Sequence, residues 1–175
     1  MGSTVLEKVK RATLAMQRYS WEQGTVAQAF LEAGDTQTAI LMAVEGANRQ
    51  IEDGRCAQIG ETDLCAIGEA LVFACEQTGD ADLLRARDRL YQWAVQDAPR
   101  NAEGIVYHLD HQPQFWVDSF YMLPPMLARG GYFSQALQQI DGYWKALFDE
   151  DKQLLSHIWD DGARRFIRKD AWGVG

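Results

Sequence analysis

One carboxylate in this sequence lies inside an otherwise apolar segment. Asp118 stands within residues 115–125, among aromatic and aliphatic side chains, with only Ser119 as a polar neighbour. Apolar residues cover all sides of a helical projection of this segment, so we expect it to be buried, where an unsatisfied carboxylate is costly. Because burial favours the protonated form of a carboxyl group, the segment predicts a general acid at Asp118.

The sequence also allows a structural role for Asp118, as a helix cap. Asp118 precedes Ser119, where it can also cap a helix by accepting backbone N–H groups, and a capping carboxylate can still face a cavity. Asp63 is likewise a candidate N-cap or a site residue. Pro124 and Pro125 withhold two backbone donors and predict a kink in the helix.

The composition favours a single globular domain that does not bind nucleic acid. The chain has 175 residues, which suits one domain over residues 1–175, and a net charge of −8. Nucleic acids and anionic membranes favour basic surfaces, so neither is an expected partner. No apolar run reaches the roughly 18 residues of a membrane span, and the N-terminal residues lack the apolar core of a signal peptide.

The cysteine pattern favours a reducing compartment. Cys56, Cys65 and Cys75 form no CxxC pair, so neither a zinc site nor a disulfide framework is indicated. Cys65 and Cys75 fall within a helical pattern and are expected to be buried as small hydrophobic residues. We therefore expect a cytoplasmic protein.

The spacing of apolar residues predicts an all-α chain of helical hairpins. Gly34 with Asp35, and Gly79 with Asp80, are expected to end one helix and begin the next. The predicted helices are 4–19, 21–33, 36–49, 63–78, 80–96, 116–129 and 134–148, with short extended pieces at 105–109, 155–159 and 165–167. Periodic hairpins of this kind build either a solenoid or a closed α/α toroid, with function in the long loops.

The long connections carry histidines and acidic residues that suit binding or catalysis. His108 and His111 have the His-x-x-His spacing of a metal site, but solvated loop histidines are the commoner case, and no metal is expected. His157, Trp159 and Asp160 place an imidazole, an indole and a carboxylate before a turn. Aromatic rings beside such groups suit sugar recognition, although each tryptophan taken singly is more often a core residue.

Several short motifs resemble those of the unsaturated glucuronyl and rhamnogalacturonyl hydrolases, glycoside hydrolase families 88 and 105. Residues 116–122 resemble the W-x-D-x-x-x-M segment that carries the acid in those families. The further matches, which follow the family's order over nearly the whole chain, are at 63–68, 78–80, 107–108, 157–160 and 172–175. Their common order is more specific than any one match.

This resemblance implies an (α/α)6 toroid that removes a Δ4,5-unsaturated uronate from an oligosaccharide. In the family an aspartic acid protonates C4 of the double bond, water adds at C5, and the hemiketal opens without a glycosyl-enzyme. The resemblance places that acid at Asp118 and the second site aspartate at Asp63. The implied substrate contacts are His108, Trp116, His157, Trp159, Asp160 and Trp172. No metal or organic cofactor is implied.

Two departures from the family pattern bear on substrate and assembly. Val174 stands where the family has an arginine that helps to bind the anionic sugar. The predicted helices amount to about half of the family's ring, and half a toroid exposes apolar faces that a soluble monomer rarely leaves uncovered. We therefore expect a homodimer, a missing C-terminal half or a half ring adapted to stand alone.

Two other functions stay open from the sequence. A diverged member could use the buried acid to cyclise or isomerise a non-sugar metabolite, because that chemistry also begins with protonation of an electron-rich double bond. Alternatively, the chain is a non-catalytic binding or assembly module that keeps the aromatic cleft. Dependence on Asp118 separates both enzymes from a binding module, and loss of the sugar double bond separates one enzyme from the other.

Overall fold

Helices make up most of the structure, a computed structural model that describes residues 4–50 and 62–169. Their bounds are α1 Val5–Met16, α2 Ser20–Glu32, α3 Thr36–Asn48, α4 Gly68–Thr78, α5 Ala81–Gln92, α6 Ser119–Met122, α7 Pro124–Arg129 and α8 Phe133–Leu147. The predicted all-α class is confirmed, and α2, α3 and α8 end within two residues of their predicted limits. In the described ranges no helix is both long and apolar enough to cross a membrane.

Two glycine turns join consecutive helices, as predicted. Gly34 and Gly79 have φ of 73° and 62°, a backbone region in which glycine meets no steric penalty. The residues that follow, Asp35 and Asp80, accept backbone hydrogen bonds at the starts of α3 and α5. Because these carboxylates satisfy otherwise unpaired N–H groups, α2 with α3 and α4 with α5 fold as tight hairpins.

Helix α4 lies at the centre of the packing and contacts α2, α3, α5 and α7. Two close contacts require glycine: a Cβ on Gly24 of α2 would lie 2.3 Å from the backbone of Ala66, and one on Gly68 would lie 2.2 Å from Met126. The surrounding core is built from buried apolar side chains, including Phe30, Met42, Leu71, Leu90, Leu123 and Leu127 and, as predicted, those of Cys65 and Cys75. Residues 53–61 of the loop that the sequence predicts at 53–62, with Cys56, lie outside the described residues, and Thr62 begins a 3-10 turn.

The predicted helix 63–78 begins later than expected. Thr62–Cys65 forms a 3-10 turn, and α4 starts only at Gly68. Glycine is a poor residue for a helix interior, and the preceding backbone at Ala66 packs directly on α2. The chain therefore turns before α4, which removes Asp63 from the N-cap position that the sequence predicts for it.

The apolar segment 115–125 is not one helix. Gln114–Trp116 is strand β1, Ser119–Met122 is α6, and the chain breaks at Leu123 before α7. The break is the predicted consequence of the two prolines, which lack the N–H groups that would continue the helix. The strand is the part that the sequence did not predict, because it depends on pairing with a distant segment.

That pairing partner is the hairpin predicted near the C-terminal end of the described residues. Strands β4 Ile158–Asp160 and β5 Arg165–Arg168 are antiparallel, and β1 pairs antiparallel with β4, so that Trp116 lies opposite Ile158. A smaller ladder joins β2 Phe148–Asp149 to β3 Leu154–Leu155. The sheet order β1-β4-β5 thus fixes the segment before α6 against the end of the chain.

The long connection between α5 and β1 has little regular structure. Helix α5 continues as a π-helical turn over Trp93–Asp97, and the extended piece predicted at 105–109 is reduced to an isolated bridge between Arg100 and Val106. The connection is nevertheless fixed by backbone hydrogen bonds, including one of 2.8 Å from His108 N to Gln114 O. This places His108 beside β1.

Candidate active site

Five of the side chains singled out in the sequence meet beside the start of α6. Asp63 comes from the 3-10 turn, His108 from the long connection, Trp116 from β1, Asp118 from the residue before α6, and His157 from the residue before β4. The sheet causes this meeting, because Val117 N donates a 3.0 Å hydrogen bond to His157 O. Among these five residues, only Trp116 and Asp118 are close to each other in the sequence.

Asp118 occupies the N-cap position of α6 but does not cap it. Its side chain accepts no hydrogen bond from the helix, which removes the structural role that the sequence left open. The predicted burial of this side chain is wrong, since it is 43 % exposed, although its Oδ2 atom is shielded from solvent. That oxygen lies 3.4 Å from His157 Nε2. Asp118 therefore presents an accessible carboxylate beside an imidazole.

Asp63 is the more buried of the two acids, with a side-chain exposure of 14 %. Burial, and secondarily the negative charge of Asp118, raise the pKa of Asp63 to about 7. Both effects disfavour the ionised form of a carboxyl group. The cluster thus contains, at Asp63, a carboxylic acid that keeps its proton up to neutral pH.

His108 lies beneath the surface of the cluster. Its ring stacks on Trp116 with a centroid distance of 4.4 Å and an interplanar angle of 12°. Burial lowers the pKa of His108 to about 4, so the ring is neutral at physiological pH. Its Nε2 atom lies 3.7 Å from Asp63 Oδ1, which is longer than a hydrogen bond.

Trp116 and His157 complete the wall beside Asp118. The indole meets the His157 ring edge-on, with centroids 5.5 Å apart, and its Nε1 donates to Gln114 Oε1 at 2.9 Å. His157 is buried, and its Nδ1 atom has no hydrogen-bond partner. Since a buried polar atom normally has a partner, this nitrogen is a place where a water molecule or a bound ligand would be stabilised.

A comparison with protein families identifies the family of this chain. Residues 3–173 match the family model described as Glycosyl Hydrolase Family 88. The chain belongs to glycosyl hydrolase family 88. A curated relative, the unsaturated rhamnogalacturonyl hydrolase YesR of Bacillus subtilis (strain 168), is 26 % identical over 189 aligned residues, which cover 98 % of this chain and 54 % of that protein.

Solved structures of related hydrolases show the fold of this family 88 chain. A family 105 glycoside hydrolase of C. acetobutylicum matches 89 % of this chain and 47 % of its own, with a TM-score of 0.68 and 20 % identity. A possible family 105 member from Salmonella enterica aligns with 82 % of this chain over 40 % of its own length, with a TM-score of 0.62 and 23 % identity. These neighbours have the (α/α)6 toroid, so the predicted incomplete toroid is confirmed as the fold class. The chain spans about half the length of the relatives it matches.

Three other residues predicted to contact substrate lie elsewhere or outside the described ranges. Trp159 is paired with Phe115 in the sheet, and strand alternation places it on the face opposite Trp116, packed against Phe166. Asp160 accepts a 2.8 Å hydrogen bond from Ala163 N in the β4–β5 turn. Trp172 and Val174 belong to the residues that the structure does not describe.

The two histidines of the His-x-x-His spacing lie in different environments. His111 is exposed beside Asp110, whereas His108 is buried against Thr62, so the His-x-x-His pair does not converge. Across residues 4–50 and 62–169, no group of three metal-ligating side chains is close enough to hold an ion.

Sequence reasoning missed one residue that this site contains. Thr62 is fully buried and its hydroxyl lies 2.7 Å from His108 Nδ1. The sequence did contain one signal that could have identified Thr62. A hydroxyl residue lies next to each acid, Thr62 before Asp63 and Ser119 after Asp118. Nothing in the sequence brings these two pairs together, because 57 positions separate Thr62 from Ser119.

Proposed function

We propose that this chain removes an unsaturated uronate from oligosaccharides by acid-catalysed hydration of the C4=C5 double bond. The observation that carries the proposal is the pair of carboxyl groups, one accessible and free of helix capping at Asp118, and one protonated up to neutral pH at Asp63. A hydration of this kind needs a proton donor and a group that orients water. The similarity to an unsaturated rhamnogalacturonyl hydrolase supports the same substrate class.

In the proposed reaction Asp118 transfers a proton to C4, and the oxygen of a water molecule bonds to C5. The second proton of that water returns to the carboxylate, so the acid is restored and the sugar gains one water molecule. The hemiketal so formed opens at the C5–O5 ring bond, which leaves a ketone at C5 and a hemiacetal at C1. Collapse of that hemiacetal forms an aldehyde at C1 and releases the rest of the oligosaccharide as an alcohol. No covalent bond to the protein forms at any step.

Asp63 and Asp118 have different roles in the proposed reaction because one is more buried than the other. In the free protein the proton of the pair resides on Asp63, since burial holds it there up to about pH 7. A sugar seated on Asp118 covers a side chain that is 43 % exposed, and loss of water favours the protonated carboxyl. We propose that Asp118 carries the transferred proton when the sugar reacts, and that Asp63 accepts a hydrogen bond from the water molecule.

The test follows the ultraviolet absorbance of the conjugated double bond in mixed unsaturated disaccharides. We expect the wild type to remove this absorbance, and Asp118→Asn to lower kcat/KM by about 10³-fold, the usual contribution of general acid–base catalysis. Asp141→Asn, an exposed substitution on α8, is the matched control and should retain full activity.

Two results would contradict the proposal. If Asp118→Asn keeps wild-type activity, the acid has been assigned wrongly. If the wild type leaves every unsaturated uronide unchanged, hydration is not the activity of this chain, and a binding role or the protonation of a non-sugar substrate becomes the better explanation.

We also propose that a second copy of the chain covers its exposed apolar helix faces. Phe133, Leu137, Ile140 and Trp144 follow helical spacing along one side of α8, and the apolar residues of α1 are also exposed. These four side chains of α8 are between 37 % and 65 % exposed. A standard interface covers about 800 Å² on each partner.

The charges favour contact between α1 of one copy and α8 of the other. Lys8 and Arg11 are exposed on α1, whereas Glu150 and Asp151 are exposed just after α8. Light scattering should therefore give the mass of a dimer, and Leu137→Glu on α8 should return the chain to a monomer. A wild-type chain that is monomeric at micromolar concentration would contradict this assembly.

A further inference from the structure

Three polar side chains form a closed, buried group behind the two acids. Thr62 and Ser119 are fully buried and His108 is nearly so. Their polar atoms contact one another in all three combinations: Thr62 Oγ1 to His108 Nδ1 at 2.7 Å, Ser119 Oγ to the same nitrogen at 3.1 Å, and the two hydroxyl oxygens at 3.1 Å. We refer to these three residues as the hydroxyl–imidazole group.

The members of this group are the chain neighbours of the two acids. Thr62 directly precedes Asp63, and Ser119 directly follows Asp118. A displacement of either hydroxyl therefore moves one acid relative to the other. The imidazole is held independently, by stacking on Trp116 and by the backbone bond from His108 N to Gln114 O.

We propose that His108 is a positioning residue, held by the hydroxyls of Thr62 and Ser119, which fixes the spacing of Asp63 and Asp118 and directs its Nε2–H at Asp63. This inference rests on the proposed function, since it assigns a role in the same reaction. It departs from the sugar-contacting role that the sequence resemblance implies for His108, because the ring is buried behind Trp116 and turns its Nδ1 atom to protein hydroxyls.

The tautomer follows from the groups that face each ring nitrogen. A neutral imidazole has one N–H donor and one acceptor nitrogen. We assign the proton to Nε2, 3.7 Å from Asp63 Oδ1, because the hydroxyl of Thr62 can then donate to Nδ1 while it accepts from the hydroxyl of Ser119. An N–H at that position stabilises the ionised form of Asp63, whereas a bare nitrogen would favour the protonated form.

The titratable groups that face Asp63 are few in the described part of the chain. Asp118 approaches from the residue before α6 and His108 from the long connection, while His157 lies 3.4 Å from Asp118. A change in the orientation of His108 should therefore be visible in the titration of Asp63.

The experiment compares Thr62→Val with Thr62→Ser, two changes of similar size of which only the second keeps the hydroxyl. Nitrogen NMR of labelled histidine reports the tautomer of His108, and carbon NMR of labelled aspartate reports the titration of Asp63. We expect Thr62→Val to increase the Nδ1–H form and to raise the midpoint of Asp63 by about one pH unit. Thr62→Ser should keep both wild-type values.

The kinetic readout separates positioning from substrate contact. A misplaced acid lowers kcat, by roughly tenfold or more for small displacements, whereas loss of a sugar contact raises KM. We expect Thr62→Val to lower kcat with KM unchanged. Should this variant fail to fold, Ser119→Ala removes the other hydroxyl and is expected to shift the same NMR signals in the same direction.

The NMR measurements need no substrate, so they test the positioning role even if the chain proves inactive on unsaturated uronides. Wild-type tautomer and titration in both Thr62→Val and Ser119→Ala would overturn the inference. A selective rise in KM with unchanged kcat would also overturn it, by assigning His108 to substrate binding.

Discussion

Replacement of Asp63 by asparagine should stabilise the protein at neutral pH while it removes a residue of the site. The pKa of Asp63 is raised from 3.8 to about 7 in the folded chain, so the folded state holds this proton more tightly than the unfolded state. Below about pH 4 Asp63 is protonated in both the folded and the unfolded state, so its raised pKa does not lower the free energy of unfolding. As pH rises towards 7 the unfolded chain loses the proton first, and the folded state becomes less favourable.

The magnitude follows from the difference between the two pKa values. Each unit corresponds to about 1.4 kcal/mol, so the cost of Asp63 grows to about 2 kcal/mol near pH 5.5 and reaches about 4 kcal/mol above pH 7. This is an upper limit, because partial opening of the site lets water reach the carboxylate. Asparagine has a similar shape and cannot ionise, so Asp63→Asn avoids the cost at every pH.

The assay is urea unfolding followed by tryptophan fluorescence from pH 4 to pH 8. Asp63→Asn should match the wild type near pH 4 and exceed it by a few kcal/mol at pH 8. Asp141→Asn, which changes an exposed carboxylate of α8, serves as the control and should differ little from the wild type at any pH. A constant difference across the range, or a less stable Asp63→Asn at pH 8, would refute the burial argument.

Three further changes test the site and its support. Asp118→Asn removes the second cause of the raised pKa of Asp63, so carbon NMR should show the midpoint of Asp63 falling by less than half of its total shift. Gly24→Ala should destabilise more than Gly68→Ala in urea titrations, because the first new Cβ meets backbone and the second meets a flexible methionine. Equal losses would contradict this reading. Tyr91→Phe removes a buried hydroxyl that donates 2.8 Å to a carbonyl of α7, and should lower stability by about 1 kcal/mol; an unchanged urea midpoint would contradict it.

The sequence predicted the hairpins well because their signals are local. Gly34 with Asp35, and Gly79 with Asp80, specify a left-handed turn and an N-cap within two residues, and the structure places both as predicted. Strand β1 could not be predicted in this way, since it forms only by pairing with β4, more than forty positions away. Apolar periodicity alone assigned Trp116 to a helix.

The structure brings together several residues that the sequence predicted for the site, but the sequence did not predict their environments. Residue type and order identified Asp63, Asp118, His108 and His157, and the structure places all four together. Their burial depends on neighbours that come from distant parts of the chain, so the sequence assigned the desolvated acid to Asp118 and missed Thr62. The apolar residues that flank Asp118 in the sequence did not predict its burial correctly, because its side chain projects from the segment towards solvent.

The distribution of polar groups favours a functional origin for this cluster over a structural one. A carboxylic acid that keeps its proton to about pH 7 at Asp63, and an unpartnered buried nitrogen on His157, both lower the stability of the folded chain. A structural cluster would be expected to have such groups paired or replaced by apolar side chains. Asp63 and the ring of His157 both lie near Asp118, where the proposed sugar and its attacking water would supply the missing contacts. If stability is gained by Asp63→Asn and by a substitution at His157 while activity is lost, the cluster is maintained for chemistry.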